Sequence, residues 1–83
     1  MVESEKIYVL AKDFVKTYRG YLEKTFEAKV WLRFFKNNCP SGTKEDFKAF
    51  CSIADSIITT HLRYDVAKAW AKAQSKFEED KNE

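Results

Sequence analysis

The segment Asn37–Phe47, with the sequence NNCPSGTKEDF, contains the only proline of the chain and one of its two glycines. Proline cannot continue a helix and glycine favours turns, so residues 37–43 are predicted to form a tight connection. Thr43 followed three residues later by Asp46 is typical of a capping box, in which each side chain accepts the backbone N–H of the other residue. A helix is therefore predicted to begin directly after this connection.

Apolar side chains recur at intervals of three and four residues on both sides of the connection, which is the spacing of the buried face of an α-helix. The pattern covers residues 4–36 in a first arm and residues 44–79 in a second arm. Residues 80–83 form a charged tail that is expected to fray. The chain is predicted to be one all-α domain over residues 1–83, either an antiparallel helical hairpin or a small bundle of three or four helices.

Two positions decide between the hairpin and the bundle. Gly20 interrupts the first arm, at a cost of about 1 kcal/mol relative to alanine in a helix interior. The apolar pattern keeps its phase across Gly20, which favours helix on both sides of it. In the second arm, the β-branched Thr59 and Thr60 and the capping residue Asp65 are compatible with a break near residues 63–65. A continuous or merely kinked helix is favoured slightly there, because no glycine or proline enforces a break.

The composition restricts the classes of function. Of the 83 residues, 45% are hydrophobic and 16% are aromatic, which indicates a globular protein, and the net charge of +2 does not by itself indicate a nucleic-acid partner. The longest apolar runs are far shorter than the roughly 18–20 residues that cross a membrane. The N-terminus lacks the basic-then-apolar layout of a secretory signal, so a cytoplasmic location is expected.

Few residues of the sequence suggest catalysis, metal binding or redox activity. Cys39 and Cys51 are expected to be free thiols in a cytoplasmic chain, with a disulfide between them as the alternative. With a single histidine to assist them, no metal site and no cofactor are predicted. That residue, His61, lies on the apolar stripe and is expected at a hydrogen-bonded edge of the core, with a pH-sensing or ligand role as the alternative. No phosphate-binding loop or nucleophile motif occurs, so the chain is predicted not to be an enzyme.

The sequence VWLRFF, residues 30–35, includes apolar side chains that point nearly all round the helix, so this segment is predicted to be buried on most sides. Burial in a compact bundle and burial in a dimer of two hairpins are both possible, and a homo-oligomer, most simply a dimer, is expected. Because Trp, Tyr and Arg dominate binding energy at interfaces, this segment also predicts a partner-binding patch. The patch comprises Trp31, Arg33, Phe34 and Phe35. A membrane-surface helix is disfavoured because Glu27 lies on the polar face.

Basic residues outnumber acidic residues between Lys12 and Lys36, by seven to three. They form two helix faces, one with Lys12, Lys16 and Arg19 and the other with Lys29, Arg33 and Lys36. Most such faces are simply solvated, and the functional alternative is an anionic partner such as nucleic acid, a nucleotide or an acidic protein. Nucleic acid is the less favoured of these, because Glu45 and Asp46 would repel phosphate at the start of the second arm.

These patterns together predict a small non-enzymatic protein–protein interaction module. It would act as a regulator, inhibitor or adaptor by presenting an aromatic and basic helical face to another protein. A small DNA-binding transcriptional regulator and a structural subunit of a homo-oligomer are the alternative interpretations.

Overall fold

The computed structural model describes residues 3–78, which form four α-helices and contain no β-strand. The helices are α1 (Ser4–Tyr18), α2 (Ala28–Asn38), α3 (Lys44–Ile57) and α4 (Ala67–Ser75). Helix α1 packs mainly on α3, and α2 packs mainly on α4. The predicted all-α fold is confirmed, in its small-bundle form. The predicted end of the second arm at residue 79 and the tail 80–83 lie outside the described residues.

The connection between α2 and α3 has the predicted form. The hydroxyl oxygen of Thr43 accepts the N–H of Asp46 at 3.2 Å, and a carboxylate oxygen of Asp46 accepts the N–H of Thr43 at 2.9 Å. This reciprocal pair is a complete capping box, which provides acceptors for N–H groups that the helix itself leaves unpaired. Within the turn, the N–H of Gly42 donates to the carbonyl of Cys39 at 2.9 Å.

The first arm is not one continuous helix, so the prediction of helix on both sides of Gly20 without a turn is wrong. Helix α1 ends at Tyr18, and a 3-10 helix over Leu22–Phe26 leads into α2. The break brings the rings of Phe14 and Trp31 to 4.6 Å, although a straight helix would hold positions seventeen apart at about 25 Å. Burial of these two large rings against each other favours the turn.

The second arm also breaks, so the slight preference for a continuous helix there is wrong as well. Helix α3 passes into a π-helical turn over Ile58–Leu62, and α4 begins only at Ala67. The chain reverses its direction at Arg63, which has a φ of 58°. This left-handed conformation is unfavourable for residues other than glycine. The reversal allows the indole N–H of Trp70 to donate to a carboxylate oxygen of Asp55 at 2.9 Å, which ties α4 to α3.

The two breaks shorten the longest dimension of the molecule. Its longest dimension is 33 Å, whereas a straight first arm would be about 50 Å long. Every helix contributes to one hydrophobic core, and large aromatic side chains form its centre. The fully buried rings are Phe14, Trp31, Phe35, Phe47 and Phe50. The core is therefore complete within a single chain.

Candidate functional site

The predicted aromatic patch lies mostly inside the core. Trp31 and Phe35 are fully buried, and Phe34 is partly buried. The indole N–H of Trp31 donates to the carbonyl of Thr25 at 2.7 Å, and the ring of Phe35 lies 5.1 Å from that of Phe47. These rings have no surface to offer a partner while the domain is folded. Of the four predicted residues, only Arg33 is exposed.

The second predicted basic face is divided by the fold. The ammonium of Lys36 donates to the carbonyl of Phe77 at 2.9 Å and lies 4.5 Å from the centre of the Phe77 ring. Lys36 therefore attaches the end of α2 to the chain beyond α4. Lys29 forms an ion pair with Glu27 at 3.6 Å, and both side chains are well exposed, so this pair contributes little to stability.

The first predicted basic face remains together and forms one wall of a groove. Lys12 and Lys16 lie one turn apart on α1, and Arg19 directly follows the last residue of the helix with helical backbone angles, so the three share one side of it. They line a groove of about 640 Å³, here called the α1 groove. The other lining residues are Asp13, Val15, Ile57, His61 and Leu62.

The α1 groove combines charge with apolar surface. Val15 is buried at its floor, and Ile57 and Leu62 are partly buried on the side that α3 and the π-helical turn provide. Asp13 is the only carboxylate among the lining residues, against three cationic side chains. Such a site attracts a negatively charged group and can also cover an apolar one.

His61 is exposed and contributes to the wall of the α1 groove. The expectation that it would lie at a hydrogen-bonded edge of the core is therefore wrong, because the π-helical turn displaces it from the apolar stripe that the sequence pattern suggested. Sequence reasoning also missed Ile57 and Leu62 as groove residues. The only available signal was their place on the apolar stripe, which does not distinguish a groove from the core.

Both cysteines are buried, and both are free thiols, as the sequence analysis favoured. Burial raises the pKa of the Cys51 thiol from 9.0 to about 12, a hydrogen bond with the side chain of Gln74 opposes this rise, and the charge of Asp55 adds to it. A thiol with this pKa stays protonated at neutral pH, and it is the thiolate that acts as nucleophile. Cys51 is therefore a packing residue.

The raised pKa of Cys51 predicts a loss of stability in alkali. Above pH 9.0 the unfolded chain releases the thiol proton, whereas the folded chain retains it up to about pH 12, so a rise in pH favours the unfolded state. We expect the free energy of unfolding to fall by up to about 1.4 kcal/mol per pH unit in this range. Urea unfolding at a series of pH values measures this slope. The same series on Cys51→Ala should lack this part of the pH dependence. Identical slopes for the two proteins would contradict the raised pKa of Cys51.

Within residues 3–78, no three His, Cys, Asp or Glu side chains come close enough to hold a metal ion together. No helix in this part of the chain combines the length and apolar character needed to cross a membrane. Comparison with known protein families, with curated proteins and with solved structures found no match to this chain.

Proposed function

We propose that this protein is a non-enzymatic interaction module that binds an acidic segment of another protein through the α1 groove. The observation that carries the proposal is the arrangement of three cationic side chains, Lys12, Lys16 and Arg19, beside the apolar surface of Ile57 and Leu62. Binding would block or recruit the partner, so the protein would act as a regulator, inhibitor or adaptor. Two free thiols suit a reducing compartment, and we place the protein in the cytoplasm.

The chemistry of the α1 groove favours an acidic protein over duplex DNA. Its apolar side chains can cover a leucine or phenylalanine of a partner, whereas a phosphate backbone has no apolar group to place there. Asp13, within the groove, would repel phosphate, but it can accept a hydrogen bond from a peptide. The best fitting occupant is an amphipathic segment with acidic residues around one apolar anchor.

The partner-binding role does not depend on the buried rings that the sequence analysis suggested. Arg33 is the one exposed member of that patch, Phe34 is partly buried, and the rings of Trp31 and Phe35 are fully buried. Self-association as a dimer stays a prediction. Because the core is complete within one chain, a dimer would have to use surface side chains, such as the exposed Tyr8 and Val9.

A charge reversal tests the proposed function. We expect Lys16→Glu to weaken binding of a fluorescent peptide of glutamate and leucine residues by about tenfold, because it replaces an attraction by a repulsion in the α1 groove. Fluorescence anisotropy measures the affinity. Nuclear magnetic resonance should place the shifted backbone signals around α1 and the π-helical turn.

The matched control is Lys6→Glu, which makes the same charge change on an exposed part of α1 that does not line the groove. Equal losses for the two variants would mean that only the overall charge attracts the peptide. Tight binding of duplex DNA with a steep dependence on salt would instead support the DNA-binding alternative.

A further inference from the structure

A second basic groove lies between the start of α2 and one face of α4, with a volume of about 420 Å³. It is here called the α4 groove. Its lining residues are Phe26, Glu27, Ala28, Lys29, Lys68, Ala69, Lys72 and Lys76. None of them lines the α1 groove, so a ligand bound here would contact a different set of residues.

Lysines dominate the α4 groove. Lys68 and Lys72 lie on successive turns of α4, Lys76 follows one turn later, and Lys29 adds a fourth cation from α2. Neighbours four residues apart on a helix are about 6 Å apart along its axis, so the three form an extended row. The one carboxylate in the lining belongs to Glu27, which already pairs with Lys29. The groove therefore favours an extended polyanion.

A pair of exposed aromatic rings adjoins this lysine row. Phe26, which lines the groove, stacks on Tyr64 with the ring centres 5.9 Å apart and the planes at 27°. Their exposed fractions are 52% and 41%, and neither ring belongs to the hydrophobic core. Ring centres 5.9 Å apart mean that the two rings overlap only partly, so much of each ring stays accessible.

We propose that the α4 groove binds single-stranded nucleic acid. The phosphates would follow Lys68, Lys72 and Lys76, and an unpaired base would stack on the outer face of Phe26 or Tyr64. A cationic track beside aromatic rings is the common arrangement for binding single strands without sequence preference. Only the unpaired bases of a single strand can stack on these rings, since the bases of a duplex are already stacked on each other.

The lining residues argue against an acidic protein as the occupant of the α4 groove. Between the lysines, the groove wall has only the small side chains of Ala28 and Ala69, which leave no deep apolar well for an anchor residue. The larger apolar surface at this site belongs instead to the flat rings of Phe26 and Tyr64. Flat rings suit the flat face of a base better than the branched side chain of a leucine.

Two variants test the two parts of this site with a fluorescein-labelled oligo(dT) of about twelve nucleotides as the probe. We expect Phe26→Ala to weaken binding by about tenfold through the loss of base stacking. We expect Lys72→Gln to weaken binding and to reduce the slope of log affinity against log salt concentration by about one. Fluorescence anisotropy over a range of salt concentrations measures both quantities.

Lys6→Gln is the matched control for Lys72→Gln, because it removes one exposed lysine away from the groove, and it should leave the affinity nearly unchanged. An abasic strand of the same length is the control for stacking, and it should bind the wild type at least as weakly as oligo(dT) binds Phe26→Ala, which keeps the ring of Tyr64. Circular dichroism checks that each variant is folded. If Phe26→Ala does not fold, Tyr64→Ala probes the other ring.

Three outcomes would overturn the proposal. One is the absence of measurable binding of oligo(dT) by the wild type at low salt. Another is equal affinity for the abasic strand and oligo(dT), which would mean that the rings do not contact bases. The third is competition by poly-glutamate together with unchanged binding in Phe26→Ala, which would identify the groove as a docking surface for an acidic protein. Lys16→Glu tests the proposed function separately, and because it changes only the α1 groove it should leave the affinity for oligo(dT) in the α4 groove nearly unchanged.

Discussion

Replacement of Trp31 by alanine should lower the free energy of unfolding by about 3–5 kcal/mol, the usual cost of removing a large buried aromatic side chain. Trp31 is fully buried and lies against Phe14, with ring centres 4.6 Å apart. Domains of this kind are stable by only about 5–15 kcal/mol in total. Trp31→Ala should therefore remove a large share of the stability of so small a domain.

The cost of Trp31→Ala has two physical parts. The first is the cavity that the indole leaves between α1, α2 and α3, which the neighbouring rings of Phe14 and Phe50 can fill only partly. The second is the lost hydrogen bond from the indole N–H to the carbonyl of Thr25, a fully buried residue. An acceptor that is left without a donor in the interior costs about 1–3 kcal/mol.

Urea unfolding followed by far-ultraviolet circular dichroism measures the loss for Trp31→Ala. Trp31→Phe is the matched control, because it keeps an aromatic ring and removes the N–H donor, and it should have a smaller effect. The result would contradict the structure if Trp31→Ala kept its helix content and its unfolding midpoint and lost only the binding of a partner. That outcome would restore the original interpretation of Trp31 as part of a surface patch.

The second large effect is expected for Gly42→Ala, which should lower the free energy of unfolding by about 1–3 kcal/mol. A Cβ atom at Gly42 would lie 2.5 Å from Cζ and 2.7 Å from Cε2 of Phe35, and 3.1 Å from Sγ of Cys39. Phe35 is fully buried against other rings and has little room to move away. Glycine is required at position 42 because a side chain would not fit there. Backbone conformation is not the reason, since the φ of Gly42 is not positive.

Gly20→Ala is the matched control for Gly42→Ala. A Cβ atom at Gly20 would have no neighbour within 4 Å, and the φ of Gly20 is not positive. We expect this variant to be neutral or more stable by about 0.4–1 kcal/mol, because alanine restricts the unfolded chain. Thermal and urea unfolding of both variants give the comparison. Equal destabilisation by the two substitutions would mean that Phe35 does not pack against Gly42.

The helical character of the chain and its central turn could be predicted from the sequence, because local chemistry determines these features. Pro40 and Gly42 end one helix, and the capping box of Thr43 and Asp46 begins the next within a few residues. The break around Gly20 was considered but not favoured, for a physical reason. Leu22 and Thr25 are three residues apart and both buried, a spacing that a 3-10 helix satisfies as well as an α-helix does.

The break in the second arm was considered near residues 63–65 but was not favoured, because its turn uses residues that normally avoid such a conformation. Arg63 adopts the left-handed conformation, for which glycine or asparagine is the usual sequence signal. The π-helical turn over Ile58–Leu62 has no clear sequence signature either. Contacts of α4 with the rest of the bundle, such as that of Trp70 with Asp55, favour this conformation, and the carboxylate of Asp65 accepts the N–H of Ala67 at 3.2 Å.

The candidate site was predictable only as far as it lies on one helix. Lys12, Lys16 and Arg19 share a face by spacing alone, and the sequence analysis grouped them correctly. Ile57 and Leu62, on the opposite side of the α1 groove, come 38 to 50 positions later, and only the packing of α1 on α3 brings them close. Lys36 illustrates the same limit, since the carbonyl that accepts its hydrogen bond is forty-one positions away.

The aromatic core has a consequence for how folding of this domain can be observed. The ring of Phe14 alone lies within 5.4 Å, centre to centre, of the rings of Tyr18, Trp31, Phe34 and Phe50. Rings held in fixed mutual orientations give near-ultraviolet dichroism, a signal that disappears when tight packing is lost even if the backbone stays helical. Near-ultraviolet circular dichroism should therefore distinguish the native domain from a molten globule that keeps its helices.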